Sequence, residues 1–214
     1  MKDIGKVYIL GDSYSTFEGL IPAGYASYYS KFDNTNTGLC RAEETWWMQV
    51  LSATKSELIQ NDSWSGTTIC NTGYDKRYCP EDSFIGRLEK KLKNGFFENN
   101  TPDTILVFGG TNDNCAESPM GEIKYENYTD DDLRCFLPAL CRLIGMLKDN
   151  FPKTRIIFMI NCHLRPDFAE AYLRVLNDTH TEYIRYDEID KPNDTGHPGV
   201  LGMTQIATGL LKIL

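Results

Sequence analysis

Four short segments carry hydroxyl, amide, carboxylate and imidazole groups among glycines: "GDSYS" at 11–15, "NDSWSGTT" at 61–68, "GGTNDN" at 109–114 and "NDTGHPG" at 193–199. Each alone has a commonplace origin: glycines make turns, Asp12 and Asp113 suit turns or caps, and Ser13 suits a helix N-cap. Together they hold the parts of an acyl-transfer site. A serine hydroxyl is a weak nucleophile at neutral pH and needs an imidazole to take its proton, while the imidazole needs a carboxylate to hold its tautomer. Ser13 is the candidate nucleophile and His197 the candidate base. Asp194, three residues before His197, is close enough along the chain to reach Nδ1. The backbone N–H groups of Ser13 and Gly66 and the side-chain amide of Asn112 are candidate donors to a developing oxyanion.

These groups must be brought together by the elements between them. Apolar, β-rich runs at 6–10, 57–61, 104–108, 155–160 and 182–187 alternate with stretches of helical character at about 45–55, 82–94, 131–150, 166–177 and 200–213. The 131–150 stretch shows the helical period best, with Leu133, Phe136, Leu137, Leu140, Ile144 and Leu147 on one face. Pro138 predicts a kink or a late start there. Strand-helix alternation at this spacing predicts a three-layer α/β/α fold, a flavodoxin-like, doubly wound sheet of five parallel strands. With no linker, repeat or low-complexity tract, residues 1–214 read as a single domain. In such a sheet ligands bind beyond the C-terminal strand ends, where strand order reverses. The first three chemical segments follow strand candidates one to three, so they are expected around one crevice. The long 14–44 stretch, rich in Tyr, Ser, Asn and Gly, is expected to border it.

Composition narrows the function classes. A net charge of −8, with no basic stripe, argues against nucleic-acid or anionic-membrane partners, which require clustered Lys and Arg. Seven cysteines form no C-x-x-C pair, which favours free thiols in a reducing compartment, with a Cys70–Cys79 bridge across a loop as the alternative. No His/Asp/Glu cluster has metal-ligand spacing. No apolar h-region precedes the first strand and no apolar run reaches ~18 residues. As the chain stands a cytoplasmic protein is expected, or a periplasmic or secreted one if a signal peptide has been removed. N-x-[ST] sequons at Asn61 and Asn193 fall within the chemical segments, where a glycan would obstruct, which favours a bacterial source.

The four ordered blocks resemble the SGNH (GDSL-type) hydrolase family, named for serine, glycine, asparagine and histidine. The matching positions are Ser13 in "GDSYS", Gly66 in "WSGTT", Asn112 in "GGTND" and the Asp194/His197 pair in "DTGHP". The tail "HPGVLGMTQIATGLL" also resembles the family's His-Pro and final helix, so the likeness spans nearly the whole chain. Tyr14 stands where the family's name-giving motif has leucine. The resemblance implies an ester hydrolase without cofactor. Rival readings are a lipase or thioesterase of the same family, a phosphate- or flavin-binding module using 11–16 as an anion cradle, and a non-catalytic carbohydrate-binding protein. The flavin or phosphate module would have no use for Asn112 or a C-terminal Asp-x-x-His, and a silent protein would typically lack one of the blocks.

Other conspicuous residues carry weaker signals. His163 follows the fourth strand and is a candidate crevice residue, whereas His180 sits in a polar helix end and reads as solvated. Arg165 suits either a substrate oxygen or an exposed ion pair. Trp64 suits either a wall of the site or packing, and at least one of Trp46 and Trp47 should be core. The loop aromatics Tyr25, Tyr28, Tyr29 and Phe32 are interleaved with hydrogen-bonding residues. That mixture suits a saccharide alcohol carrying a short acyl group, acetyl above all, or simple packing of the loop onto the sheet.

Overall fold

The strands are made by runs of Val, Ile, Leu, Phe and Tyr that satisfy both faces of a covered sheet. The computed structural model describes residues 3–32, 35–192 and 196–214. Strands β1 (Lys6–Gly11), β2 (Glu57–Ser63), β3 (Thr104–Phe108), β4 (Arg155–Ile160) and β5 (Glu182–Arg185) pair in the order β2-β1-β3-β4-β5, all parallel. β3 is buried along its whole length and β1 at all but its first residue. Helices α1 (Trp46–Thr54) and α6 (Val200–Leu211) cover one face. Helices α2 (Phe84–Lys93), α4 (Phe136–Asn150) and α5 (Pro166–Asp178) cover the other. Alternation along the strands divides the core: Val7, Ile9, Leu106 and Phe108 pack toward α1 and α6, while Tyr8, Leu10, Ile105 and Val107 pack toward α2, α4 and α5. The expected three-layer architecture is therefore the observed one.

Several boundaries differ for physical reasons. β2 continues through Asp62 and Ser63 because their side chains are satisfied internally, and β5 stops at Arg185. The 131–150 stretch divides into a 3-10 turn at Asp132–Arg134 and α4, which starts at Phe136. Pro138 thus lies in the first turn, where its missing N–H removes no intrahelical bond, so it marks a late start. A short helix α3 (Thr111–Cys115) arises inside the "GGTNDN" segment, whose polar residues show no helical period. Gly110 precedes it at φ +91°, and a Cβ there would fall 2.7 Å from the Tyr172 ring. Both Trp46 and Trp47 are buried.

β1 and β3 are neighbours whose connections run to opposite sides, which makes the gap beyond their C-terminal ends the switch point. One buried cation secures this edge. Arg87 of α2 is only 1% exposed, and its guanidinium donates to Asp62 O and Oδ1, Gly11 O, Thr67 Oγ1 and Asp82 O. Asp62, also buried, accepts from the Tyr8 hydroxyl as well. Removing one partner of a buried pair leaves an uncompensated charge, so Arg87→Met should lower unfolding stability by ~3–5 kcal/mol. Urea denaturation checks this, and Arg87→Met with Asp62→Asn should lose less than the two single losses summed.

Candidate active site

The turn after β1 is built by close approach. A Cβ on Gly11 would lie 2.5 Å from Ser63 Oγ and 2.8 Å from Ser15 Oγ, so only glycine lets the chain pass. The next residues form a 3-10 turn, Ser13–Ser15, capped by Asp12, whose Oδ1 accepts from Tyr14 N at 3.1 Å. The cap is Asp12 rather than Ser13, which leaves the Ser13 hydroxyl for another partner. Three further bonds hold the turn: Trp46 Nε1 to Ser15 Oγ, Asn61 Nδ2 to Ser15 O and Thr16 Oγ1 to Ser13 O. Asn61 therefore serves as a buried strut inside its sequon.

The partner of Ser13 comes from the far end of the chain. His197 Nε2 lies 2.9 Å from Ser13 Oγ across 184 residues of sequence. This is hydrogen-bond reach for proton transfer from hydroxyl to imidazole. Asp194, the expected carboxylate, lies outside the described residues.

The second and third segments are laced to each other. Gly66 adopts φ +80° with open space where a Cβ would be, so its requirement is conformational. Asn112, on α3, donates Nδ2 to Thr67 O at 2.8 Å, and its Oδ1 accepts from the Tyr74 hydroxyl at 2.9 Å. A primary amide has two N–H bonds, so the second remains available for a ligand oxygen. Asp113 accepts from Ile69 N and Cys70 N, which fixes α3 against the loop after β2. Tyr74 orients Asn112, although nothing about "TGYDK" marks its tyrosine as different from a surface aromatic.

Of the weaker candidates, Trp64 is half-buried and stacks on Tyr25, centroids 4.2 Å apart and planes at 19°. His163 is exposed at φ +61° and its Nδ1 lies 3.3 Å from Cys162 Sγ, one residue away. Arg165 is exposed too, and in place of the expected ion pair its backbone N and Nε both donate to Asn114 Oδ1. Its nearest tie is thus to α3. His180 is exposed at a helix end, as expected. Cys70 and Cys79 are free thiols: Cys70 Sγ donates to Thr72 O and Cys79 Sγ to Asn71 O. The alternative of a bridge between them does not hold. Among the described residues, no cluster of three or more His, Cys, Asp or Glu could hold a metal ion.

Two carboxyls are buried beside the Ser13 turn. Burial pushes Asp12 up to about 7 and Asp113 to about 6, with the Asp113 charge adding to the effect on Asp12. Two backbone donors partly offset burial at Asp113, whereas among the described residues Asp12 Oδ2 has no hydrogen-bond partner. A carboxyl whose folded pKa is raised binds more protons in the folded than in the unfolded chain. Its stabilising contribution is present at and below about pH 4 and is lost as pH rises toward 7. Asp12→Asn keeps the cap acceptor and removes the titration. The stability of this variant relative to the parent should therefore rise by about 3–4 kcal/mol between pH 4 and pH 7.5, measured by chemical denaturation.

The GDSL-like Lipase/Acylhydrolase family matches residues 5–214. Among solved structures, a protein described as a GDSL-like lipase from Bacteroides ovatus ATCC 8483 is 36% identical, with a TM-score of 0.91, over 99% of this chain and 98% of its own. A second, from Bacteroides uniformis ATCC 8492, is 37% identical with a TM-score of 0.88, over 98% and 95%. A family two carbohydrate esterase from Clostridium thermocellum, in complex with cellohexaose, shares the fold at 17% identity and a TM-score of 0.67, over 100% of this chain and 64% of its own. No curated protein matches the chain. With the ordered serine, glycine, asparagine and histidine segments carried on this sheet, the chain belongs to the GDSL-like lipase/acylhydrolase family and is a hydrolase of ester bonds.

Proposed function

We propose that the protein is a serine esterase that removes short acyl groups, acetyl foremost, from a polar, carbohydrate-like alcohol. The observation that carries this reading is the 2.9 Å approach of His197 Nε2 to Ser13 Oγ. Ser13 Oγ attacks the ester carbonyl carbon as its proton passes to His197 Nε2. The oxyanion is held by the N–H of Ser13, the N–H of Gly66 and the second N–H of Asn112 Nδ2. The carbon–oxygen bond to the alcohol then breaks, and His197 returns its proton to the leaving oxygen. Water repeats the sequence on the acyl-enzyme and frees the acid. Asp194 is assigned as the carboxylate that orients His197 by its offset in sequence alone.

The alcohol side of the reading rests on the cavity that starts at Gly66. It has a volume of about 340 Å³ and is lined by Trp64, Tyr74, Asp75, Arg77 and Asp82 among others. Aromatic faces interleaved with carboxylates and a guanidinium suit a hydroxylated ring better than an acyl tail. The cavity wall is a strained loop: Asp75 and Lys76 both have positive φ, and Lys76 Nζ is bonded to the carbonyls of Ala116 and Glu117. Backbone strain held in place by such ties is common at ligand sites. The Clostridium thermocellum carbohydrate esterase with cellohexaose adds a saccharide precedent on the same fold.

A fluorophosphonate probe should label Ser13 and no other residue, and Ser13→Ala should abolish both labelling and ester hydrolysis. Labelling that survives Ser13→Ala would remove the nucleophile assignment. Asn112→Ala should lower kcat by ~10²–10³-fold with KM changed far less; near-full kcat would leave Asn112 a structural role only. For acyl preference, kcat/KM is expected to fall from acetyl to butyryl to octanoyl p-nitrophenyl esters, with acetate released from acetylated saccharides. A rise with chain length would favour a lipase instead.

A further inference from the structure

Three tyrosines close on the residues around His197. The Tyr14 hydroxyl donates to Gly196 O at 2.6 Å and accepts from Asn161 Nδ2 at 3.2 Å. The Tyr29 hydroxyl donates to Pro198 O at 2.9 Å. Burial pushes both phenols up from the ordinary tyrosine value, so they remain donors throughout the neutral range. Between them Tyr28 lies flat on the imidazole, ring centroids 3.5 Å apart and planes within 8° of parallel. Its position is tied to the nucleophile: Tyr28 N donates to Thr16 Oγ1, and Thr16 Oγ1 donates to Ser13 O. One short chain of bonds thus sets both the hydroxyl and the ring that faces its base.

The geometry is unusual for two neutral rings, which prefer offset or edge-to-face contact. A cation over the same face is attracted by the ring quadrupole. Imidazole becomes that cation at the moment Ser13 gives up its proton. We infer that Tyr28 is a positioning residue for hydrolysis, holding the plane of the His197 ring so that Nε2 meets Ser13 and favouring the imidazolium formed in the reaction. This inference rests on the assignment of Ser13 and His197 made above. Among the described residues, Tyr14 also lies near the ring, its centroid 5.3 Å away, and Lys191 Nζ sits 5.4 Å from the Tyr14 ring. Asp12 lies behind Ser13 in the turn, and Tyr29 packs edge-on against Tyr28.

The sign of the effect follows. A π face that favours the imidazolium raises the pKa of His197, so its removal shifts the acidic limb of the kcat/KM profile to lower pH. Tyr28→Leu should make that shift and lower kcat by about 5–30-fold, with KM changed less. Tyr28→Phe should recover most of the loss, because it keeps the ring face. Replacing Tyr28 with pentafluorophenylalanine keeps the shape and reverses the quadrupole, so it should lower kcat and shift the acidic limb as leucine does, even if leucine impairs folding. The inference is overturned if both the leucine and the pentafluorophenylalanine variants keep kcat within twofold and the limb in place while Ser13→Ala is inactive. Activity surviving in Ser13→Ala would instead overturn the nucleophile assignment, and this inference with it.

Discussion

The guanidinium of Arg87 is the contact through which most of the site is connected. The carbonyls of Gly11, at the end of β1, and of Asp62, on the edge strand β2, both accept from this one cation, and Gly11 O also accepts from Trp64 N. An arginine has five N–H donors in a planar fork, and each finds an acceptor: two on Asp62 and one each on Gly11, Thr67 and Asp82. The Asp62 carboxylate balances the charge, so both ions are tolerated in the interior. A lysine has three donors around a point charge and could not span the same set. Because Gly11 leads into Ser13 and Thr67 follows Gly66, this one side chain fixes the distance between the Ser13 turn and the second segment.

From that anchor the remaining segments are joined by polar contacts rather than by packing alone. Asp113 grips the loop after β2 through two backbone N–H groups, Asn112 bonds Thr67, and Tyr74 bonds Asn112. Each link removes a freedom that the proposed oxyanion donors could not have, since a donor's value depends on being aimed before the charge develops. The arrangement costs stability. Asp12 and Asp113 are buried close enough to affect one another, and neither sits at its ordinary pKa. Burial that is unfavourable to the fold is thus concentrated next to the Ser13 hydroxyl, the proposed nucleophile.

The loop between β1 and α1 contributes in a different way. Tyr14 and Tyr29 are buried in the core beside α1 and α6, and with Tyr28 they reach over the Ser13 turn to the segment that carries His197. Tyr25, stacked on Trp64, lines a cavity of about 650 Å³, and Trp64 lines the one beside Gly66. Of the loop aromatics, Tyr29 is packed in the core as expected, whereas Phe32 is exposed.

Much of this was legible in the residues themselves. Apolar runs of strand length separated by amphipathic stretches can bury their surface only as a covered parallel sheet, so the architecture followed from the period of the side chains. The candidate reactive groups are legible too, because Ser13, Gly66, Asn112 and His197 occur in short contiguous segments directly after or before those elements. The extent of β2 and the short helix α3 were not, since each depends on partners remote in sequence. Arg87 reads locally as one more exposed cation of "GRLEKKLK", and Tyr14, Tyr28 and Tyr74 as ordinary aromatics. Their roles come from acceptors and a ring that the sheet brings to them from 20 to 180 residues away. Side-chain type and period are properties of a segment and act before folding, whereas a stack or a fully used guanidinium is a property of three-dimensional neighbours, and only the tertiary structure could decide it.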